Sequence, residues 1–367
     1  MRYCVLITLL LTATYSHAQQ RDSSKISRYS WQPLIGLTAY NGSVYAHAVS
    51  VQNVEGSHPY GFAIDFARHM NDNGTYQLTG AYPIKGISVA YFNYGNSILG
   101  EGYVASYFLE PVYRLGTRLN FHFRGSVGAG YLTNPFDSVK NAVNKNYSYH
   151  LNPYLQVGTG FGYRLSPHIS LSLDANFQHM SNGNFRQPNA GLNWITGSTS
   201  LLYYPSDNRM PPYVRVKDPY HSPRKATLDI GVFYVPTQNY NYHWLAQREL
   251  AAGLFAQLSK QVSRLDALTL GAEVYHNEMK DAPGAPLHNS DPSLLSGIYF
   301  GHDFLLGRIV FSQQLGLYVT PHPAFFTNFY ERWGLGYRIT RHWQAGVSLK
   351  VHTDEADFVD ARVSYRL

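Results

Sequence analysis

The run from Ile169 to Ser181, ISLSLDANFQHMS, places a histidine and a serine two residues apart at the end of an alternating segment. In an extended strand successive side chains point to opposite faces. Ile169, Leu171, Leu173, Ala175 and Phe177 therefore share one face with His179 and Ser181, while Ser170, Ser172, Asp174, Asn176 and Gln178 share the other. A spacing of two along one strand brings side chains to about 6 to 7 Å, within rotamer reach of an imidazole to hydroxyl hydrogen bond. The chemistry this suggests is nucleophilic, since a serine hydroxyl is a poor nucleophile without an adjacent base. A third group should accept from the other imidazole nitrogen and hold the ring. Asn193, twelve residues beyond Ser181, follows the turn-rich stretch SNGNFRQPNAG, and a hairpin there returns it beside His179. Candidate donors to a developing oxyanion are the Asn189 side chain and backbone N–H groups from Asn182 to Asn184.

The elements that must position these residues are strands. Leu119, Phe121, Phe123, Val127, Ala129 and Tyr131 oppose Arg118, Asn120, His122, Arg124 and Ser126; Trp343, Ala345, Val347, Leu349 and Val351 oppose His342, Gln344, Ser348 and Lys350. Similar alternation recurs along the chain and ends on Val359, Ala361, Val363, Tyr365 and Leu367 at the C-terminus. With 31 Tyr, 19 Phe and 5 Trp but only 14% charged residues, the composition is that of a wall with an apolar outside and a polar inside. The expected fold is all-β, an antiparallel transmembrane β-barrel of the outer membrane with about 14 to 16 strands. The Pro-rich stretch from Pro205 to Arg224 reads either as a long loop in one barrel or as a linker between two sheets. One barrel is preferred, because an unclosed sheet edge cannot sit in lipid.

This gives a layout of a signal peptide over residues 1–18, a site-bearing part over 19–204, a loop or linker over 205–225, and C-terminal strands of the same barrel over 226–367. The signal peptide is read from Arg2, the apolar run Val5 to Ala13 and the small-x-small site Ser16-His17-Ala18. The single cysteine, Cys4, leaves with it, which excludes disulfides and thiol chemistry from the mature chain. The formal charge of +6 comes from scattered Lys and Arg, so no nucleic-acid partner is expected and anionic lipid headgroups fit better. His302-Asp303, His322 and His352-x-Asp354-Glu355 lack convergent ligand spacing, so no metal site is assigned. If the first strand starts on the periplasmic side, the His179 segment is the seventh and ends at the extracellular surface.

The string HMSNGNFRQPNAGLNW resembles the lipid A 3-O-deacylase family of outer-membrane barrels through His179, Ser181, Asn182, Gln187, Pro188, Asn189 and Gly191, with an upstream Tyr82-Pro83 and Gly86. The resemblance covers roughly the first two hundred residues and implies acyl-ester hydrolysis on lipopolysaccharide. Ser181 would act as nucleophile, His179 as base, and Arg186 as a contact for sugar phosphates. The family's best-known members place Glu where this chain has Asn193; an amide can fix the imidazole tautomer but cannot stabilise imidazolium by charge. The same residues also resemble outer-membrane phospholipase A, whose His-x-Ser-Asn-Gly motif and Asn twelve residues on match His179, Ser181, Asn182, Gly183 and Asn193. That resemblance would make phospholipid the substrate and calcium a cofactor, although no acidic loop here specifies calcium; the deacylase reading carries no cofactor. The deacylase is preferred for its Gln187-Pro188-Asn189-x-Gly191 element. The alternative from another class is a passive porin or structural barrel, with polar residues lining a lumen and nothing special on the outer wall. Oligomeric state is not legible from the sequence.

Overall fold

The computed structural model describes residues 31–183, 185–211, 226–235, 246–281, 294–321, 327–352 and 355–367. The expected signal peptide, Asn184, residues 212–225, His322 and Asp354 lie outside the described residues.

The chain divides into two compact units. The first is built from β1 (Gln32–Val44), β2 (Tyr60–His69), β3 (Ile84–Asn93), β4 (Glu101–Glu110), β5 (Val112–Arg114), β6 (Leu119–Leu132), β7 (Leu151–Arg164), β8 (Ile169–Met180) and β9 (Leu192–Tyr203). All paired neighbours run antiparallel, β1 pairs with both β2 and β9, and β4 pairs with β6, so the sheet closes on itself. β4 and β5 pair in turn with β6 and are parted by Pro111, which has no N–H for the ladder. They form one traverse, which makes this an eight-stranded barrel with β8 as its seventh traverse.

The second unit contains β10 (Thr227–Val235), β11 (Ala246–Gln261), β12 (Asp266–Asp281), β13 (Leu294–Leu306), β14 (Ile309–Tyr318), β15 (Phe329–Arg338), β16 (Trp343–His352) and β17 (Glu355–Arg366). It too is a closed barrel, sealed by pairing of β10 with β17. The single barrel of 14 to 16 strands is therefore corrected to two barrels of eight, with seventeen strands among the described residues. Both solutions remove sheet edges, and the choice between them lies in whether β9 returns to β1 or continues to β10. Alternation within a strand is blind to that choice.

Eight strands enclose a space just wide enough for side chains, and in both interiors buried charged side chains pair across the barrel. In the first barrel Arg124 makes a two-pronged contact with Asp65 at 2.7 and 3.1 Å and stacks over Phe108. His122 sits 2.5 Å from Asp174, which also accepts from Ser172 at 3.0 Å. In the second barrel Arg332 pairs with Glu273 at 2.8 Å and with Asp360 at 2.5 Å. Lys350 reaches Glu273 at 3.2 Å and the Tyr275 hydroxyl at 2.8 Å.

The outward positions are apolar and exposed, among them Leu37, Phe62, Phe66, Val89 and Phe161 on the first barrel and Val232, Leu254, Leu270, Phe300 and Val347 on the second. Among the described residues no helix is long and apolar enough to cross a membrane. The one α-helix among them, α1 (Asn73–Thr79), is capped by Asp72, which accepts from the Thr75 N–H at 2.9 Å, and ends at Gly80 in the left-handed conformation.

Glu273 is the anion between two buried cations in the second barrel. Glu273→Ala should lower its stability by about 3 to 5 kcal/mol, because removing one member leaves buried charge uncompensated. The measurement is the urea-unfolding midpoint of the detergent-solubilised chain; an unchanged midpoint would show that Asp360 alone suffices for Arg332.

Candidate active site

Local packing sets which way the candidate residues face. Met180, Leu192 and Trp194 are fully buried and join Phe92, Tyr94, Leu132, Tyr147 and Tyr154 in an apolar cluster inside one end of the first barrel. The Trp194 ring meets Phe92 and Tyr94 edge-on, each at 5.4 Å. With these side chains inside, the alternation of β8 and β9 sends His179 and Asn193 outward. They share that face with exposed Leu173, Phe177 and Ile195, and with Leu155, the residue opposite His179 on β7.

His179 and Asn193 are direct partners in the β8–β9 ladder. His179 Nδ1 lies 2.5 Å from Asn193 Oδ1. An amide oxygen only accepts, so Nδ1 carries the proton and Nε2 keeps the lone pair that a base needs. The other end of the same amide, Asn193 Nδ2, lies 2.8 Å from His47 Nδ1. His47 is an exposed residue on the loop after β1, and that loop is tied to the site by the Tyr45 N–H, which donates to the Asn193 carbonyl at 2.9 Å.

The turn between β8 and β9 is shaped by side chain to backbone bonds. The Asn182 N–H donates to Asn189 Oδ1 at 2.9 Å, and Asn182 Nδ2 donates to Ser148 Oγ at 3.1 Å. The N–H groups of Ala190 and Gly191 donate to the carbonyls of Lys145 and Asn146 at 3.0 and 2.8 Å, so the 133–150 loop holds the turn from outside. Gly191 has φ of 84°, the left-handed region. A Cβ placed there would sit 2.9 Å from His179 Cε1 and 3.6 Å from Ser181 Cβ. The two candidate reacting side chains thus converge on the space this glycine leaves open.

His179, Ser181, Asn182, Asn189 and Asn193 all lie at this strand end, and Arg186 is exposed on the segment 185–187. Tyr82, Pro83 and Gly86 belong to the opposite end of the barrel. Tyr82 is buried with Leu34, Ile84 and Phe108, and its hydroxyl donates to the Pro211 carbonyl at 3.1 Å. Of the other histidines singled out in the sequence, His302 lies 3.1 Å from Asp266 and His352 lies 2.9 Å from the Tyr318 hydroxyl. Among the described residues no group of three His, Cys, Asp or Glu is placed to hold a metal ion.

Two family models match the chain: residues 58–201 match the lipid A 3-O-deacylase (PagL) model, and residues 226–367 match the acyloxyacyl hydrolase C-terminal domain model. Together they take in well over half of the sequence, and the first contains the whole His179 to Asn193 string. The chain belongs to the lipid A 3-O-deacylase family.

No curated protein matches this family member in sequence. Among solved structures, the outer-membrane enzyme PagL is 14% identical, covering 45% of this chain and 97% of its own, with a TM-score of 0.34. Neisserial surface protein A is 8% identical, covering 47% and 98%, with a TM-score of 0.35. The assignment to the deacylase family accordingly rests on the sequence models. The N-terminal match ends within β9 of the first barrel and the C-terminal match spans the second, so the two models fall on separate barrels.

Sequence reasoning missed His47 and the steric role of Gly191. The loop carrying His47 has no motif, and its approach follows from β1 pairing with β9, a contact between chain segments about 150 residues apart. Gly191→Ala should cut hydrolysis by more than about tenfold while leaving the barrel folded, because even small misplacement of a reacting group is costly. The added methyl meets the imidazole edge, and the left-handed backbone disfavours any L side chain. Hydrolytic rate, compared with heat-modifiable gel mobility as the folding control, checks this; full activity would show that His179 does not need the gap.

Proposed function

We propose that the first barrel is an outer-membrane serine esterase that removes an ester-linked acyl chain from lipid A. The observation that carries this reading is the His179 Nδ1 to Asn193 Oδ1 bond on the outer, apolar face of the barrel, one residue short of the strand end and two from Ser181. Ser181 Oγ attacks the ester carbonyl while His179 Nε2 takes its proton. The imidazolium returns that proton to the departing sugar alkoxide, and water, activated by the same base, then releases the fatty acid. Asn193 keeps the ring in the tautomer that leaves Nε2 basic, the role a third residue plays in such triads.

The exposed apolar bands of the barrel supply a surface for acyl chains and for lipid, which supports placement in the outer membrane. His179 faces that lipid from the end of the seventh traverse, a position where a polar group is costly unless it is used. Within the turn, the Asn182 N–H is occupied by Asn189 Oδ1, so these two asparagines support the site by shaping the loop. Donors to the oxyanion are proposed from the Asn189 amide nitrogen and the neighbouring turn, and Arg186 as a contact for sugar phosphates. No cofactor is required by this mechanism.

A passive channel expects polar side chains bordering an open lumen. Here they pair across the interior instead, Arg124 with Asp65 in one barrel and Arg332 with Glu273 in the other. The amide in the third position of the triad also suits the phospholipase reading, and one experiment separates the two. Mass spectrometry of outer-membrane lipids should show lipid A lacking one ester-linked acyl chain with the intact protein, and none of it with Ser181→Ala. Lysophospholipid in its place would identify the phospholipase, and unchanged hydrolysis by Ser181→Ala would sink the serine mechanism.

A further inference from the structure

We propose that His47 is a positioning residue for this hydrolysis: by accepting a hydrogen bond from Asn193 Nδ2, it fixes which end of the Asn193 amide faces His179. The inference rests on the Ser181–His179 reading above. Its starting point is a chemical asymmetry. A carboxylate accepts at either oxygen, so it holds an imidazole N–H whichever way it is turned. An amide has one accepting end and one donating end. If the Asn193 amide turned over, its NH₂ would face His179 Nδ1. The ring would then have to keep its lone pair on Nδ1 and its proton on Nε2, which removes the base from the Ser181 side.

The two ends of Asn193 are both engaged, Oδ1 by His179 at 2.5 Å and Nδ2 by His47 Nδ1 at 2.8 Å. Because Nδ2 can only donate, His47 Nδ1 must offer a lone pair, so His47 is neutral with its proton on Nε2. The chain of bonds therefore runs in one direction, from Asn193 into His47 and from His179 into Asn193, and leaves His179 Nε2 as acceptor. His47 is also held in place on its own loop. The Tyr45 N–H donates to the Asn193 carbonyl at 2.9 Å, and the Ala46 N–H donates to a Glu55 carboxylate oxygen at 3.1 Å. These bonds bring the imidazole to Asn193 from β1, while His179 approaches it from β8. Asn193 itself is almost fully buried, so water is a poor substitute for the lost acceptor.

The test uses the full chain in detergent micelles with purified lipid A as substrate and released fatty acid as readout. His47→Ala should lower kcat roughly tenfold with little change in KM, the size expected when one hydrogen bond no longer biases the amide. His47→Gln, whose side-chain oxygen can accept from Asn193 Nδ2, should recover most of that loss. In an Asn193→Asp background, where either oxygen accepts, His47→Ala should cost nothing further. The ¹⁵N resonances of His179 give a second readout that does not depend on turnover: a protonated Nδ1 in the parent chain, and a mixture of tautomers in His47→Ala. Full activity of His47→Ala with an unchanged His179 tautomer overturns the inference, as does an equal loss in the parent and Asn193→Asp backgrounds. Should Ser181→Ala remain active, it is the underlying serine reading that fails; an inactive Ser181→Ala beside a fully active His47→Ala removes His47 alone.

Discussion

The site depends on the register of β8 against β9. Because side chains alternate, a slip of one residue would turn His179 into the barrel and bring Met180 to the surface, and the cross-strand bond to Asn193 would vanish with it. What prevents the slip is the inner face. Trp194, Met180 and Leu192 are packed with no exposure against Phe92, Tyr94 and Tyr147, and moving them out would expose several large side chains at about 1.5 to 3 kcal/mol each. An apolar cluster buried inside the barrel thus holds the polar pair on its outer face in its orientation.

The same alternation creates the opposite problem elsewhere in the barrel, where many inward positions are polar and charged. Eight strands leave little room for water, so the charges must be compensated by each other. Arg124 between Asp65 and Glu110, and Arg332 between Glu273 and Asp360, do this with side chains drawn from other strands. Such buried pairs are weak as a source of net stability, since desolvation offsets much of the attraction. Their effect is on specificity, because only one closure of the sheet brings each Arg opposite its partners. Strand number and interior charge are therefore linked: a wider barrel would separate these pairs and admit water.

Much of the site was legible in the sequence, for reasons that are local. His179, Ser181 and the turn before Asn193 lie within fifteen residues, and strand periodicity plus a hairpin suffice to put His179 opposite Asn193. The traverses were legible too, each from its own alternation. Closure was not, because whether β9 returns to β1 is decided by Ile35 meeting Tyr203 and Val44 meeting Trp194, far apart in the chain. His47 was invisible for the same reason: it comes to Asn193 only through that closure. Gly191 could be read as a turn glycine, whereas the imidazole beside its missing Cβ appears only in three dimensions.

The amide at position 193 has a physical logic on this face of the barrel. A carboxylate beside His179 would stabilise the imidazolium formed in the proposed reaction, but it would have to keep its charge on a wall lined by Leu155, Phe177 and Ile195, where ionised groups are costly. A neutral amide avoids that cost and accepts the same Nδ1 proton. It gives up charge stabilisation in the transition state and gains an orientational ambiguity that a carboxylate does not have. The first consequence predisposes the site to slower proton transfer. The second requires a further acceptor, and in this barrel the nearest group to the Asn193 nitrogen for which a bond is seen is an imidazole from the first strand's loop. The proposed triad, neutral at rest, is thus coupled to barrel closure, since His47 follows β1 and Asn193 lies on β9, strands joined only when the sheet is sealed.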